Sequence, residues 1–146
     1  MTEVSLPVVW RPRTTRVVGY GLAGTIVLGM IVLAVVLPST WGVADRVGMV
    51  LFALAAAWIL HRLARCRVEA DAEGLTVVNA VGVKRYEWAE VVRATMGVGD
   101  PWPRLDLSNG DSVGAMGING AERALATRQL AELQALLKQR AEAPER

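Results

Sequence analysis

Two carboxylates three residues apart, Glu87 and Glu90, bracket a tryptophan in the stretch VKRYEWAEV. Paired carboxylates are a simple acid–base set, but they need a partner that holds or takes the proton. The single histidine, His61, lies in an apolar segment far along the chain. It reads as an interfacial residue rather than a ligand or base, and Glu87 and Glu90 read as solvated charges at a strand end. The single cysteine, Cys66, excludes an internal disulfide and a cysteine-based zinc site. It can accept a lipid, although a small residue at the start of a strand is the better reading. Gly97-Val98-Gly99-Asp100 lacks the third glycine and the strand-to-helix setting of a dinucleotide fingerprint, and no nucleophile elbow, paired-histidine zinc motif or phosphate loop occurs. No catalysis, cofactor or metal is expected. Trp102, between Pro101 and Pro103, suits an exposed anchor for a partner or for lipid headgroups, with loop packing as the plain alternative.

The elements around these residues fall into two halves. Residues 17–37, VVGYGLAGTIVLGMIVLAVVL, are 21 residues without a charge. As a helix they span about 30 Å, the thickness of a bilayer core. The run is too long for a signal-peptide core and has no clean small-x-small cleavage site, so an uncleaved helix is expected. PSTWG, 38–42, breaks it, with Trp41 suited to an interface. Residues 43–64 make a second span once Asp45 and Arg46 lie at one headgroup region and Arg62 snorkels at the other. So short a turn makes the two helices antiparallel. Arg11, Arg13 and Arg16 precede the pair, and Arg62, Arg65 and Arg67 follow it. The positive-inside rule then puts both termini in the cytoplasm of a cell-membrane protein. Gly21, Thr25 and Gly29 form a small-residue ladder on the first helix, and Ala53 and Ala57 form one on the second. Their expected role is to close the hairpin, with packing against another membrane protein as the alternative.

After Cys66 the pattern alternates. Strands are expected at 67–70, 75–80, 83–88, 90–96, 104–107 and 112–118, with turns at DAEG (71–74), Val81-Gly82 and Asn109-Gly110. Ala126, Leu130, Leu133 and Leu137 then recur at helical spacing, with Asn119 and Glu122 as the expected cap. The organisation is a cytoplasmic segment 1–16, helices 17–37 and 43–64 about the turn 38–42, a β-domain with a covering helix at 66–140, and a tail 141–146. Residues 1–65 carry six cations against two acids, a charge of +4, and residues 66–146 carry ten against twelve, a charge of −2. A basic nucleic-acid-binding domain is thereby excluded.

The stretch VEADAEGLTVVNAVGVKRYEWAEV resembles bacterial pleckstrin-homology-like (PH-like) domains. Ala72-Glu73-Gly74-Leu75, Val77-Val78-Asn79 and Trp88-Ala89-Glu90-Val91 carry the likeness, together with the closing helix and a two-helix anchor of the kind found in small actinobacterial membrane proteins. The resemblance implies an α+β membrane protein: a transmembrane helical hairpin, then a small antiparallel barrel or sandwich capped by a C-terminal helix. Such domains have seven strands where six are counted here. The seventh is sought in 97–103, unless the first sheet is abbreviated. Trp88 is expected to end the third strand and fill the core or a corner. The resemblance implies a membrane-held adaptor that takes a protein or peptide by a sheet edge or a groove against the helix. The alternatives are a sensor of anionic lipid headgroups, held by Lys84, Arg85, Arg93 and Arg104, and a small structural subunit of a membrane complex. Convergence of those four cations on one concavity would favour lipid. Scatter beside an open edge would favour the adaptor.

Overall fold

The computed structural model describes residues 4–143. In chain order the elements are β1 (Val8–Trp10), α1 (Thr14–Val36), α2 (Val43–Ala64), β2 (Arg67–Ala70), β3 (Gly74–Val78), β4 (Val83–Glu87), a single 3-10 turn (Trp88–Glu90), β5 (Val91–Thr95), β6 (Arg104–Leu107), β7 (Ser112–Gly114) and α3 (Arg123–Glu142). They form two compact units. One is the hairpin of α1 and α2, and the other contains every strand together with α3.

Both hairpin helices are long and apolar enough to cross a membrane, by length and composition. They meet through alanine: Ala23 and Ala34 of α1 and Ala53 and Ala64 of α2 are buried. A Cβ on Gly19 would sit 3.5 Å from that of Ala64, so the open ends of the hairpin lie close together. Ala53 is in this seam and Ala57 is half-buried, as expected, but Gly21, Thr25 and Gly29 are exposed. The ladder on α1 therefore does not close the hairpin. Gly21 is two residues beyond Gly19, about 200° round the helix from the contact face. At the turn, the Arg46 guanidinium donates to the carbonyls of Ala34, Leu37 (2.7 Å) and Pro38 (3.2 Å). It satisfies carbonyls that the end of α1 leaves unpaired. The Gly42 N–H donates to Asp45 (2.9 Å), so the adjacent acid closes the start of α2.

The β-unit is two antiparallel sheets, β1-β2-β3-β4 and β5-β6-β7. It has the seven strands of the family pattern, but the seventh comes neither from 97–103 nor from a shortened first sheet. It is β1, in the N-terminal flank, paired Val8 with Ala70 and Trp10 with Val68. The β-domain read as 66–140 thus also takes in the chain up to Pro12. Alternation puts Val8, Trp10, Val68, Ala70, Leu75, Val77 and Tyr86 on one face of the first sheet. That face meets Ala94 and Leu105 of the second sheet and Ala126, Leu133 and Leu136 of α3 in one core. Trp10 is 2 % exposed, and its indole N–H donates to Glu132 of α3 (2.8 Å). Gln129 reaches the Arg11 carbonyl (3.4 Å), so α3 holds both the ring and the exit of β1. Gln134 of α3 donates to the Ala94 carbonyl (2.8 Å). Asn119 does not cap α3. Its side chain accepts from Ala121 N–H (2.9 Å) in a turn of its own, and the helix begins only at Arg123.

Burying an indole this completely makes Trp10 one of the costliest residues to truncate. Trp10→Ala is expected to destabilise the β-unit by about 3–5 kcal/mol, read as a shift of the urea midpoint in detergent-solubilised protein. Residues 65–143 alone are expected to stay unfolded, whereas a chain joining Pro12 to Arg65 by a short glycine linker is expected to fold. Cooperative unfolding of 65–143 alone would refute the role given to β1.

Candidate functional site

The turn Asp71–Glu73 between β2 and β3 is built by one carboxylate. Asp71 Oδ1 accepts the N–H groups of Glu73 (3.0 Å) and Gly74 (2.9 Å), the local bond that makes aspartate a turn former. Gly74 is required by space: a Cβ there would lie 2.1 Å from the Tyr86 carbonyl oxygen across the sheet. Arg85 of β4 reaches over to Asp71 at 2.9 Å and to Glu73 at 3.7 Å. The Arg85 hydrogen bond, aided by the Gly74 N–H, lowers the Asp71 pKa from its ordinary value of 3.8.

Trp88 closes the same corner. It starts the 3-10 turn rather than ending β4, and its indole N–H donates to the Asp71 carbonyl (3.0 Å). The Arg140 guanidinium lies over its ring, 5.6 Å from the centroid. The core-or-corner packing expected of Trp88 is thus seen, one residue past the strand. Glu87 and Glu90 form a capping box about this turn, with the Glu87 N–H donating to Glu90 at 2.7 Å. The spacing of three residues that suggested acid–base chemistry is a capping spacing. Burial, then the charges of Glu90 and Asp111, raise the pKa of the neighbouring Tyr86.

At the other end of the sheets the link is Asn79. Its side-chain amide donates to the Gly114 carbonyl (2.7 Å) and accepts from Met116 N–H (3.1 Å), tying the end of β3 to the end of β7. Trp102 lies on the same point, since a Cβ on Gly114 would fall 2.4 Å from its Nε1. The ring is thus packed on one side, and 39 % of the residue remains exposed. Arg104 pairs with Gly114, and Lys84 is one residue from Val83, the partner of Val78. Lys84, Trp102 and Arg104 therefore share one end of the unit. Arg85 is held at the Asp71 turn, and Arg93 lies opposite Asp106 beside the irregularity in β5. The four cations do not gather in one concavity.

Cys66 is buried at the entry to β2, as a strand-start residue would be and as a lipidation site would not. The His61 ring lies 3.0 Å from the Tyr20 hydroxyl within the hairpin. An open groove of about 580 Å³ runs between the β5–β6 loop and the start of α3, with Asp100 and Arg123 as its charged lining residues. Sequence reading did not single out Asn79 as a sheet-to-sheet tie, although a polar residue that ends a strand just before a turn was the available signal.

The bacterial PH domain family model matches residues 65–136. Uncharacterised proteins of Mycobacterium bovis and Mycobacterium tuberculosis are 28 % identical to the chain over 135 residues, which cover 89 % of it and 88 % of each of them. No solved structure matches. The family match begins after β1, whereas the mycobacterial similarity spans enough of the chain to include the hairpin.

Acid should open the Asp71 corner first. A carboxylate whose folded pKa is depressed contributes stability above its unfolded pKa and loses it as pH falls through the folded one. The β-unit is therefore expected to hold from neutral pH down to about 4 and to weaken only below that. Arg85→Gln should raise the Asp71 pKa towards 3.8 and move acid unfolding to higher pH. A carboxyl-carbon NMR titration checks the first and circular dichroism the second. An unchanged Asp71 titration would mean that Arg85 does not hold that carboxylate.

Proposed function

This chain carries a bacterial PH domain at residues 65–136, and we propose that it is a non-catalytic binding module, held at the cytoplasmic face by its helical hairpin, that takes an extended protein or peptide segment on the edge of β4. The family is generally one of binding modules rather than catalysts. The observation that carries the reading is the edge itself. β4 ends its sheet with no further strand beside it, and apart from the half-buried Tyr86 its residues are exposed, Val83 at 57 %. Such an edge offers a row of backbone donors and acceptors to an added strand. Lys84, Arg85 and Glu87 along it oppose indiscriminate pairing and favour a segment of matching charge.

Membrane residence rests on the two apolar helices. Because β1 precedes the first and pairs with β2 after the second, helices that both cross must leave the two flanks on the same side. The arginines outside the hairpin favour the cytoplasmic side. Headgroup sensing by Lys84, Arg85, Arg93 and Arg104 has less support, since Arg85 is engaged by Asp71 and Glu73 and Arg93 faces Asp106. The outward face of Gly21, Thr25 and Gly29 is what a structural-subunit role would use.

A photoactivatable phenylalanine analogue at Val83, in the full chain in its native membrane, tests the edge. The expected outcome is a discrete protein adduct that is absent when the same group stands at Ala89. Only lipid adducts at Val83, or none, would remove the adaptor reading.

A further inference from the structure

The β-unit has two unlike ends, and chain connectivity decides which one meets lipid. The chain leaves β1 at Trp10 and enters α1 at Thr14, then leaves α2 at Ala64 and enters β2 at Arg67. Those steps of four and three residues reach at most about 14 and 11 Å. If the helices span a bilayer, the end of the sheet that bears Trp10 and Arg67 cannot leave the headgroup region. Register carries the argument on. Arg67 pairs with Val78, and Val78 with Val83, so the β3–β4 turn projects from this same end. Its Val81 is 93 % exposed, an apolar side chain at a turn tip that buries nothing in the protein. Asn79 ties that turn to Gly114, and so to Trp102 and Arg104. Lys84 stands one residue past the turn, and Arg65 lies in the linker itself.

The opposite end carries Asp71, Glu73, Glu87, Glu90 and Asp111 in its turns. The unit is thus polarised along its strands, with cations and apolar tips at the tethered end and carboxylates at the far end. Its net charge of −2 conceals this.

We propose that the tethered end is a lipid-seating surface. Val81 and Trp102 enter the headgroup layer of an anionic bilayer, Lys84, Arg104 and Arg65 bind its phosphates without selecting a particular headgroup, and the acidic end is held outward. This rests on the reading of the hairpin as a membrane anchor. The edge of β4 runs between the two ends, so seating leaves most of it accessible.

The test uses the full chain with Cys66→Ala in vesicles of phosphatidylcholine and phosphatidylglycerol. A fluorophore sensitive to its surroundings is placed in turn on Val81→Cys, Ala89→Cys and Leu28→Cys, and quenched by spin-labelled lipids. Ala89 stands at the far end, about 15 Å away along the strands. Val81 is expected to be quenched by headgroup labels several-fold more than Ala89. Lys84→Gln and Arg104→Gln should each shift the balance away from the seated form by about fivefold. Equal quenching at Val81 and Ala89, with Leu28 quenched by acyl-chain labels, would overturn the seating and leave the anchor standing. Absence of quenching at Leu28 would overturn the anchor, and the seating with it.

Discussion

The structure depends on the pairing of three residues, Val8–Trp10, with three others, Val68–Ala70, across 58 positions of sequence. In a flexible chain, closing a loop of that length costs about 3–4 kcal/mol of entropy. Two strands of this length cannot recover that from their own hydrogen bonds. The segment between them is not a flexible loop. It is a helical hairpin whose open ends lie close together at Gly19 and Ala64, and whose closed end is pinned by Arg46 on the last carbonyls of α1. Once that hairpin has formed, its two exits are already neighbours, and most of the closure cost has been met. In this sense α1 and α2 are the connection of a β-hairpin, enlarged until it can span a bilayer.

The remaining sheet contacts depend on that closure. Trp10 fills the core face above Val68 and meets α3 through Glu132. Without the ring, β2 would be an edge strand with a bare apolar face, and α3 would lose its cover. The family-like residues then fix corners rather than a reaction. Asp71 builds a turn that Arg85 and Trp88 hold shut, Gly74 lets β4 pass close, and Asn79 ties one sheet to the other. Their types follow from what a small sandwich must solve: tight turns, close strand crossings, and buried polar groups that need partners.

The parts legible in sequence were those with local causes. Both helices followed from long uncharged runs, β2, β4 and β6 from alternation between turn residues, and α3 from a single apolar stripe. The parts that escaped had distant causes. Pro7-Val8-Val9-Trp10 has no alternation to speak of and prolines near both ends, and only a partner 58 residues away makes it a strand. The Gly21, Thr25 and Gly29 ladder was a true periodicity, but which face of α1 meets α2 depends on the register of both helices, and periodicity in one helix carries no such information. Asn119 had the right type for a cap, yet its side chain was taken by a nearer N–H. Of the candidate site residues, the positions along the strands were legible. What each cation faces was not, because Asp71 and Asp106 reach them through turns and registers.

That last gap bears on how charge should be read in a tethered domain. A net charge describes how a freely tumbling molecule meets a membrane, averaged over its orientations. A domain joined to two helices by steps of three and four residues does not sample those orientations. Only the end it presents matters, within roughly a Debye length of the surface. Here a domain that is acidic overall presents its cations and two apolar side chains at that end and carries its carboxylates at the other. For such a chain, −2 argues against free recruitment to anionic lipid and says nothing against contact with it once the anchor is in place. The same reasoning separates the two tasks of the unit: the tethered end has the chemistry to settle on lipid, and the free edge of β4 has the chemistry to take a strand.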